Sequence, residues 1–340
     1  MKRLLSLLLT LCMLVSLAAC GTTKTDDASV SVVPESITYP VTVTDQAGRS
    51  VEIEEEPQTL VSGYYISTSA LIALELDERM VGIDAKADKR AVYKLAAPAL
   101  IELPNVGTAK EFDLEGCAAL DPDLVILPLK LKEAAQTLET LGIDVLLVNP
   151  ENQDLLEEMI VLIATAANKG TRANELLSFI ADTEETLAAR LSGADTPKVY
   201  LAGNSDFLST AGGAMYQSDL IGLAGGTNVA AEITDTYWVT VSYEQLLTWN
   251  PDYIILASDA SYTAEDVLAD PSLAGCSAVA NGHVYQMPGD VEAWDSPVAG
   301  GILGAVWMAS VLHGDLMSQA DANDIIRNFY STFYGFVREN

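Results

Sequence analysis

Two glutamates occupy the same place in two nearly matching stretches of the sequence. Glu115 lies in DLEGCAALDPDLVIL, and Glu244 lies in SYEQLLTWNPDYIIL. In each stretch six residues separate the Glu from a Pro-Asp pair, and an apolar run follows. A carboxylate in this position either stabilises a helix N-terminus, by about 0.3–1 kcal/mol, or forms an ion pair with a basic partner. The helix dipole alone does not require the two halves of the chain to match.

The Pro-Asp pairs have a structural explanation. Pro122 and Pro251 end the short helices that the two glutamates begin. Asp123 and Asp252 are expected to accept hydrogen bonds from backbone N–H groups in the turn before each apolar strand. The repeat therefore predicts the same helix–turn–strand unit in both halves of the chain.

The histidines offer little catalytic chemistry. The chain has two, His283 at a predicted strand start and His313 near a predicted helix end. A three-histidine metal site is therefore impossible, and a Ser-His-Asp triad has only these two poorly placed residues to use. The glycines of LSTAGGAMY and GLAGGTN do not form the full phosphate-loop fingerprint after a first strand. We expect no catalytic residue, no metal site and no cofactor.

The basic residues are concentrated in the first half of the chain. Of 18 Lys and Arg residues, none lies between Lys198 and Arg327, and one group precedes position 133: Lys86, Lys89, Arg90, Lys94, Lys110, Lys130 and Lys132. These residues either meet an anion held between the two halves or form a solvated charged face. The formal net charge of −30 argues against nucleic acid or an anionic membrane surface as a partner.

Residues 1–20 are typical of an export signal. They begin with Lys2 and Arg3, continue with an apolar stretch too short to span a bilayer, and end in Leu-Ala-Ala-Cys20. This ending resembles the bacterial lipobox, in which the signal is cut before Cys20 and Cys20 carries lipid; an ordinary cleaved signal is the alternative. The lipid chains would hold the protein on the outer face of the cytoplasmic membrane. Residues 21–38 are polar and turn-rich, which predicts a flexible tether.

Two cysteines remain in the folded part of the chain. Cys117 and Cys276 lie far apart in the sequence and do not form the spacing pattern of a disulfide framework. We therefore expect buried free thiols, with a single bridge as the alternative.

Alternating strand and helix patterns predict an α/β fold. VTVTDQAGRSVEI is typical of a hairpin, and the strand-like stretches TLVSGYY, VGIDA, DLVILP, DVLLVNP, KVYLAG, YIILAS and HVYQMP are separated by helical ones. Strands joined by helices form parallel sheets covered on both faces. From Glu151 to Leu191 the apolar residues recur at helical spacing. Thr171 and Gly193 are the predicted ends of one long helix in this stretch. We predict two such lobes, residues 39–168 and 194–340, joined by one interlobe helix at residues 169–193.

Ligands of open α/β sheets collect at the carboxyl ends of the strands. In this sequence those ends carry aromatic, basic and amide side chains: Tyr64, Tyr65, Lys86, Lys130 and Asn204. Aromatic rings pack against planar or apolar ligands, and basic side chains bind carboxylates or anionic chelates. A packing role in the core is the alternative for Tyr65 and for Tyr216.

The order and spacing of several stretches resemble one known family. These stretches are LPNVGTAKEFDLEGCAALDPDLVIL, GLAGGTNVA, VSYEQLLTWNPDYIIL, AVANGHVYQMPG and EAWDSP. They resemble the substrate-binding proteins of ABC importers for iron–siderophores, haem and cobalamin, over nearly the whole mature chain. The resemblance implies two lobes joined by one long helix, a ligand in the cleft between them, and a monomer that binds and delivers without changing its ligand.

The resemblance also gives the repeated glutamates a role. Family members present one Glu on the outer surface of each lobe, and the two glutamates dock onto basic pockets of the permease dimer, whose cytoplasmic ATPase drives import. The matching residues are Glu115 and Glu244. A lipoprotein that senses or sequesters its ligand without transport is the alternative.

The resemblance extends the set of candidate ligand-binding residues. It adds Tyr237, Trp238 and Trp294, at loops that often face the cleft in the family, and Arg90, Lys110 and Tyr216 complete the set. The expected ligand is a ferric siderophore or a related metal chelate, and a tetrapyrrole such as cobalamin or haem is the alternative.

Overall fold

The computed structural model describes residues 32–338. The predicted signal, the proposed lipidation site Cys20 and residues 21–31 of the predicted tether lie outside the described residues. Within residues 32–338, no helix is both long and apolar enough to cross a bilayer.

The first half of the described chain forms a hairpin and a parallel sheet. The antiparallel hairpin pairs β1 (Val41–Thr44) with β2 (Ser50–Ile53) around a turn at Gly48, whose φ is +74°. The sheet contains β3 (Leu60–Ser62), β4 (Met80–Gly82), β5 (Leu124–Pro128) and β6 (Asp144–Val148), in the order β4-β3-β5-β6. Its strands are almost wholly buried, as expected for a parallel sheet covered on both faces.

Four short helices accompany this sheet. They are α1 (Tyr65–Ala73), α2 (Ala91–Ala96), α3 (Leu114–Ala119) and α4 (Lys132–Thr140). The helix α4 ends before Gly142, whose φ of +86° suits a residue without a Cβ. This lobe therefore follows the predicted order of strands and helices.

Two helices follow β6, and the second corresponds to the predicted interlobe helix. They are α5 (Gln153–Ala166) and α6 (Gly170–Arg190), and Asn168 between them adopts a left-handed conformation with φ of 57°. The break is anchored because Asn168 Oδ1 accepts the Ile37 N–H at 2.8 Å and Asn168 Nδ2 donates to Glu56 at 2.9 Å. The predicted N-terminal cap at Thr171 is wrong, since α6 begins one residue earlier. The 21-residue α6 links the two sheets in the chain.

The second sheet is mixed. It contains β7 (Lys198–Ala202), β8 (Ser209–Ala211), β9 (Thr227–Asn228), β10 (Trp238–Thr240), β11 (Tyr253–Leu256) and β12 (Val284–Gln286). The path is β10-β8-β7-β11-β12, with β9 beside the start of β7. The strands β9, β7, β11 and β12 are parallel, whereas β8 and β10 are antiparallel to their neighbours.

Six further helices cover the second sheet. They are α7 (Tyr216–Leu223), α8 (Tyr243–Trp249), α9 (Ala264–Leu268), α10 (Ser277–Asn281), α11 (Ile302–Leu312) and α12 (Gln319–Phe333). The helix α11 is buried on nearly all sides. Phe179 of α6 packs edge-on against Phe329 and Phe333 of α12, with ring centroids 5.4 and 5.6 Å apart. The prediction of two helix-covered α/β lobes joined by one long helix is confirmed.

The two lobes also contact each other directly. The Tyr65 hydroxyl donates to Ser296 Oγ at 3.2 Å, and the Gln153 N–H donates to Asp219 Oδ2 at 3.0 Å. A backbone bond joins the Val92 N–H to the Val291 carbonyl at 3.1 Å. These bonds add to the covalent link through α6, so the lobes are held at several points.

We predict that ligand binding changes the overall dimensions of the protein very little. A helical connector and direct bonds between lobes permit only limited closure, unlike a hinge of flexible strands. Small-angle X-ray scattering of the chain without residues 1–20 should give nearly the same radius of gyration with and without saturating ligand. A large decrease in that radius would contradict the prediction.

Candidate functional site

An open cleft of about 590 Å³ lies at the carboxyl ends of β3 and β7. Tyr64 and Tyr65 follow β3, and Lys130 follows β5. Across the cleft, Asn204 follows β7 and Trp238 begins β10. The structure therefore brings these five predicted residues together, in the position where open α/β sheets bind ligands.

Aromatic side chains form two walls of the cleft. The rings of Tyr64 and Tyr65 meet edge to face, with centroids 5.4 Å apart. The Trp238 side chain opposite is 41% exposed. Its ring lies directly over Gly203, where an added Cβ would come within 2.9 Å of a ring carbon. Residue 203 must therefore be Gly for the Trp238 ring to lie at this depth, a requirement that sequence analysis missed.

Arg90 supports the Tyr65 wall from behind. Its guanidinium carbon lies 4.2 Å from the centroid of the Tyr65 ring, and its Nε lies 3.5 Å from Asp84 Oδ2. Burial raises the pKa of Tyr65, although hydrogen bonding to Ser296 and the nearby Arg90 charge partly oppose the shift. The ring is thus held as a neutral, oriented surface. Arg90 lines a second, smaller cavity of about 130 Å³ behind Tyr65 instead of the cleft itself.

Acidic side chains outnumber basic ones around the cleft. Lys130 is the one cationic side chain among the described residues that line it, whereas Glu151, Asp206 and Asp295 all contribute carboxylates. Asp295 is buried, which raises its pKa, and a hydrogen bond from the Ser258 N–H partly opposes this shift. The predicted basic surface facing an anion is therefore not found in this cleft.

Five other predicted residues do not line the cleft. Trp294 and Tyr216 are only 1% and 2% exposed, and the Trp294 indole N–H donates to the Tyr330 hydroxyl at 2.9 Å. These two aromatics pack in the core. For Tyr216 this is the alternative role given in the sequence analysis. Lys86, Lys110 and Tyr237 are exposed at positions outside the cleft lining.

A buried glutamate joins the lobes behind Tyr65. Glu292 is 6% exposed, and its Oε1 accepts hydrogen bonds from Ser69 Oγ at 2.8 Å and from the Tyr334 hydroxyl at 2.9 Å. Its Oε2 has no hydrogen-bond partner within the described part of the chain. Burial raises the pKa of Glu292 to about 7, despite the opposing effect of these hydrogen bonds. Sequence analysis missed Glu292, because no local pattern reveals burial between distant segments.

The repeated glutamates occupy equivalent, exposed positions. Glu115 is the second residue of α3, and Glu244 is the second residue of α8. Each helix is capped by the residue before it, since Asp113 accepts the Gly116 N–H at 2.9 Å and Ser242 accepts the Gln245 N–H at 3.2 Å. Both carboxylates are therefore free to face a partner.

The Pro-Asp turns are equivalent as well. Asp123 Oδ2 accepts the N–H groups of Gln58 and Thr59, each at 2.8 Å, and Asp252 Oδ2 accepts the Lys198 N–H at 2.8 Å. In each lobe the aspartate thus ties its own strand to the start of the neighbouring one. The predicted helix–turn–strand unit is confirmed in both halves, but the N–H donors belong to the neighbouring strand's start and not to the turn as predicted.

The described residues contain no cluster of three or more His, Cys, Asp or Glu side chains arranged to hold a metal ion. Cys117 and Cys276 are both free and buried, as predicted. Burial raises the pKa of the Cys117 thiol to about 11, which keeps it protonated and unreactive.

Comparisons with a family model and with known sequences both point to solute-binding proteins. Residues 60–291 match the family described as Periplasmic binding protein. The molybdate-binding protein MolA of Haemophilus influenzae is 26% identical over 319 residues, which cover 86% of this chain and 90% of MolA. YvrC of Bacillus subtilis, an uncharacterized ABC transporter substrate-binding lipoprotein, is 25% identical over 83% of this chain and 89% of YvrC.

The fold comparison agrees with the sequence comparison. A periplasmic solute binding protein from Veillonella parvula has a TM-score of 0.76 and 27% identity, over 88% of this chain and 94% of that protein. These relatives are solute-binding proteins and not enzymes. The chain belongs to the periplasmic binding protein family and is the extracytoplasmic substrate-binding protein of an ABC transporter.

Proposed function

We propose that this protein captures a metal chelate of neutral or positive net charge in the cleft between its lobes and delivers it to an ABC permease. The leading ligand is a ferric siderophore, and a corrinoid such as cobalamin is the alternative within the same chelate class. Lipid on Cys20 would hold the protein beside its permease. The observation that carries this proposal is the combination of aromatic walls with mainly acidic surroundings in a cleft of about 590 Å³.

The size of the cleft favours an organic ligand. Small-molecule sites have volumes of roughly 300–1,000 Å³ and combine apolar walls with a few polar groups. Tyr64, Tyr65 and Trp238 offer large faces for the organic periphery of a chelate.

The charge of the cleft narrows the class of chelate. One lysine and three carboxylates surround the space, so a strongly anionic ligand would be repelled. Ferric hydroxamates are neutral or cationic and cobalamin is close to neutral, whereas ferric catecholates are strongly anionic and haem carries carboxylates. We therefore favour hydroxamates and corrinoids over catecholates and haem.

An oxyanion is the second candidate ligand. The helix α1 begins at Tyr65, on the cleft wall, and no side chain caps its N-terminus. Unpaired N–H groups and the helix dipole at such an end bind anions, and Lys130 lies on the same cleft. The relative MolA is a molybdate-binding protein. This arrangement favours a small tetrahedral anion at one end of the cleft, where Lys130 and the helix N-terminus would have to outweigh the repulsion of the three carboxylates.

We predict that ferric trihydroxamates or cobalamin quench the tryptophan fluorescence of the chain lacking residues 1–20, saturably and at submicromolar concentration. Trp238→Ala should weaken this binding about tenfold or more, because the ligand loses a large apolar face. Trp249→Phe, a change in α8 outside the cleft lining, is the matched control and should leave affinity unchanged.

The same titration with molybdate, a ferric catecholate and haem separates the alternatives. Binding of molybdate alone would favour the oxyanion candidate. Preference for the catecholate would contradict the charge argument, and no binding of any chelate would reject the proposed ligand class.

A further inference from the structure

Gln217, in the first turn of α7, lines the cleft beside Asp295. The side chain is nine-tenths buried, with 6% of its surface exposed. Its Nε2 donates to the backbone carbonyl of Asp295 at 2.7 Å. Because a carbonyl oxygen only accepts hydrogen bonds, this contact fixes which end of the amide carries oxygen.

The other end of the amide is unsatisfied. Gln217 Oε1 is out of contact with solvent and has no hydrogen-bond partner among residues 32–338. Buried polar atoms in native proteins are nearly always paired, since an unpaired acceptor has lost its hydration without compensation. Because Gln217 lines the binding cleft, a group that arrives with the ligand can pair this oxygen once the side chain turns toward the cleft.

The surroundings of Gln217 define what that partner must be. Asp295 presents a buried carboxylate and Asp206 an exposed one on the same cleft, and both are acceptors when ionised. A ligand acceptor placed here would face other acceptors, whereas a donor would be attracted by them. The complementary group is therefore a hydrogen-bond donor, and we take it to be an N–H donor, an ammonium group or a primary amide, because the oxygen of a hydroxyl would itself face these acceptors.

We infer that Gln217 is a specificity-determining residue, which selects ligands whose inserted end carries an N–H donor. The inference rests on the proposed capture of a chelate in this cleft and adds a requirement that the aromatic walls do not impose. A site built to pair a buried polar group discriminates strongly against an analogue that lacks the partner.

Two pairs of probes test this inference on the chain lacking residues 1–20. The first pair is a ferric trihydroxamate with a terminal primary ammonium and its N-trimethyl form, which keeps the positive charge but has no N–H donor. The second pair is cobalamin and the methyl ester of its corrinoid core, in which esters replace the amides. The wild-type protein should bind the donor-bearing member of at least one pair about tenfold more tightly.

Substitutions of Gln217 assign that preference to the side chain. Gln217→Met keeps the shape but removes the acceptor, so it should weaken binding of the donor-bearing probe about tenfold and leave the donor-free probe unchanged. Gln217→Glu keeps an acceptor and should retain the preference. Gln136→Met, on the exposed face of α4, is the matched control and should leave both affinities unchanged.

The outcomes separate this inference from the function on which it rests. Chelate binding without discrimination between the members of a pair, or equal weakening of both members by Gln217→Met, would overturn the inference and leave the proposed function standing. Failure of all four chelates to bind the wild-type protein would overturn both.

Discussion

The Glu292→Gln variant should be more stable than the wild-type protein at pH 8 by about 3 kcal/mol, and of similar stability near pH 4.5. Burial raises the pKa of Glu292 from 4.5 to about 7. Between these values the folded protein keeps a proton that the unfolded chain has released, so wild-type stability falls as pH rises through this window. Above pH 7 the folded state carries the full cost of a buried carboxylate.

The variant removes this cost because glutamine has no charge to lose. Its Oε1 can still accept from Ser69 and Tyr334, so the contacts between the lobes are kept. Urea denaturation at several pH values measures the effect. Glu184→Gln is the control: its carboxyl pKa is also raised to about 7 by burial, but the group is partly exposed and should give a smaller change. Parallel stability curves for the wild type and Glu292→Gln would refute the prediction.

The double variant Glu115→Ala, Glu244→Ala should abolish uptake while leaving ligand affinity unchanged. We propose that these carboxylates dock onto basic surfaces of the permease, one per lobe. Exposed ion pairs contribute only about 0–1 kcal/mol each, but they fix the register of a complex and speed its formation. Loss of both carboxylates should therefore weaken docking on the permease much more than it weakens folding. Each helix retains its capping residue.

The chain supplies a closely matched control for this experiment. Glu133 and Glu265 are also exposed second residues of helices, α4 and α9, one in each lobe. The double variant Glu133→Ala, Glu265→Ala removes the same charge from the same kind of position. Cellular uptake of labelled ligand should persist in this control. Equal loss of uptake in both double variants would show that total charge matters and would exclude specific docking.

The regular elements were predictable because their signals are local. The hairpin, the buried strands and the two Pro-Asp turns each follow from a few adjacent residues. The boundary between α5 and α6 was predicted to within a few residues, but the contacts of Asn168 were not, because its partners lie more than a hundred positions away. The short strands β8 and β10 were not predicted, since the Ser and Thr residues in them leave no run of apolar residues like the one in β5.

The site was predictable only in part, for a related reason. Strand ends can be located from sequence, and this placed Tyr64, Tyr65, Lys130 and Asn204 at the cleft. The depth of a side chain depends on distant residues: Trp294 is buried, and its indole N–H is satisfied by Tyr330, 36 positions away. Gln217 carries no local signal at all, since its importance lies in an oxygen left without a partner.

The two exposed glutamates and the cleft lie at opposite ends of the same strands. Glu115 precedes β5 and Lys130 follows it, so the strand itself separates the two surfaces by about 17 Å. In the second lobe Glu244 precedes β11, which runs parallel to β7, and Asn204 of the cleft follows β7. Substitutions that alter the cleft therefore leave the opposite surface untouched. With docking as we propose it, a lineage of these proteins can acquire a new cargo through such changes while keeping the same transporter.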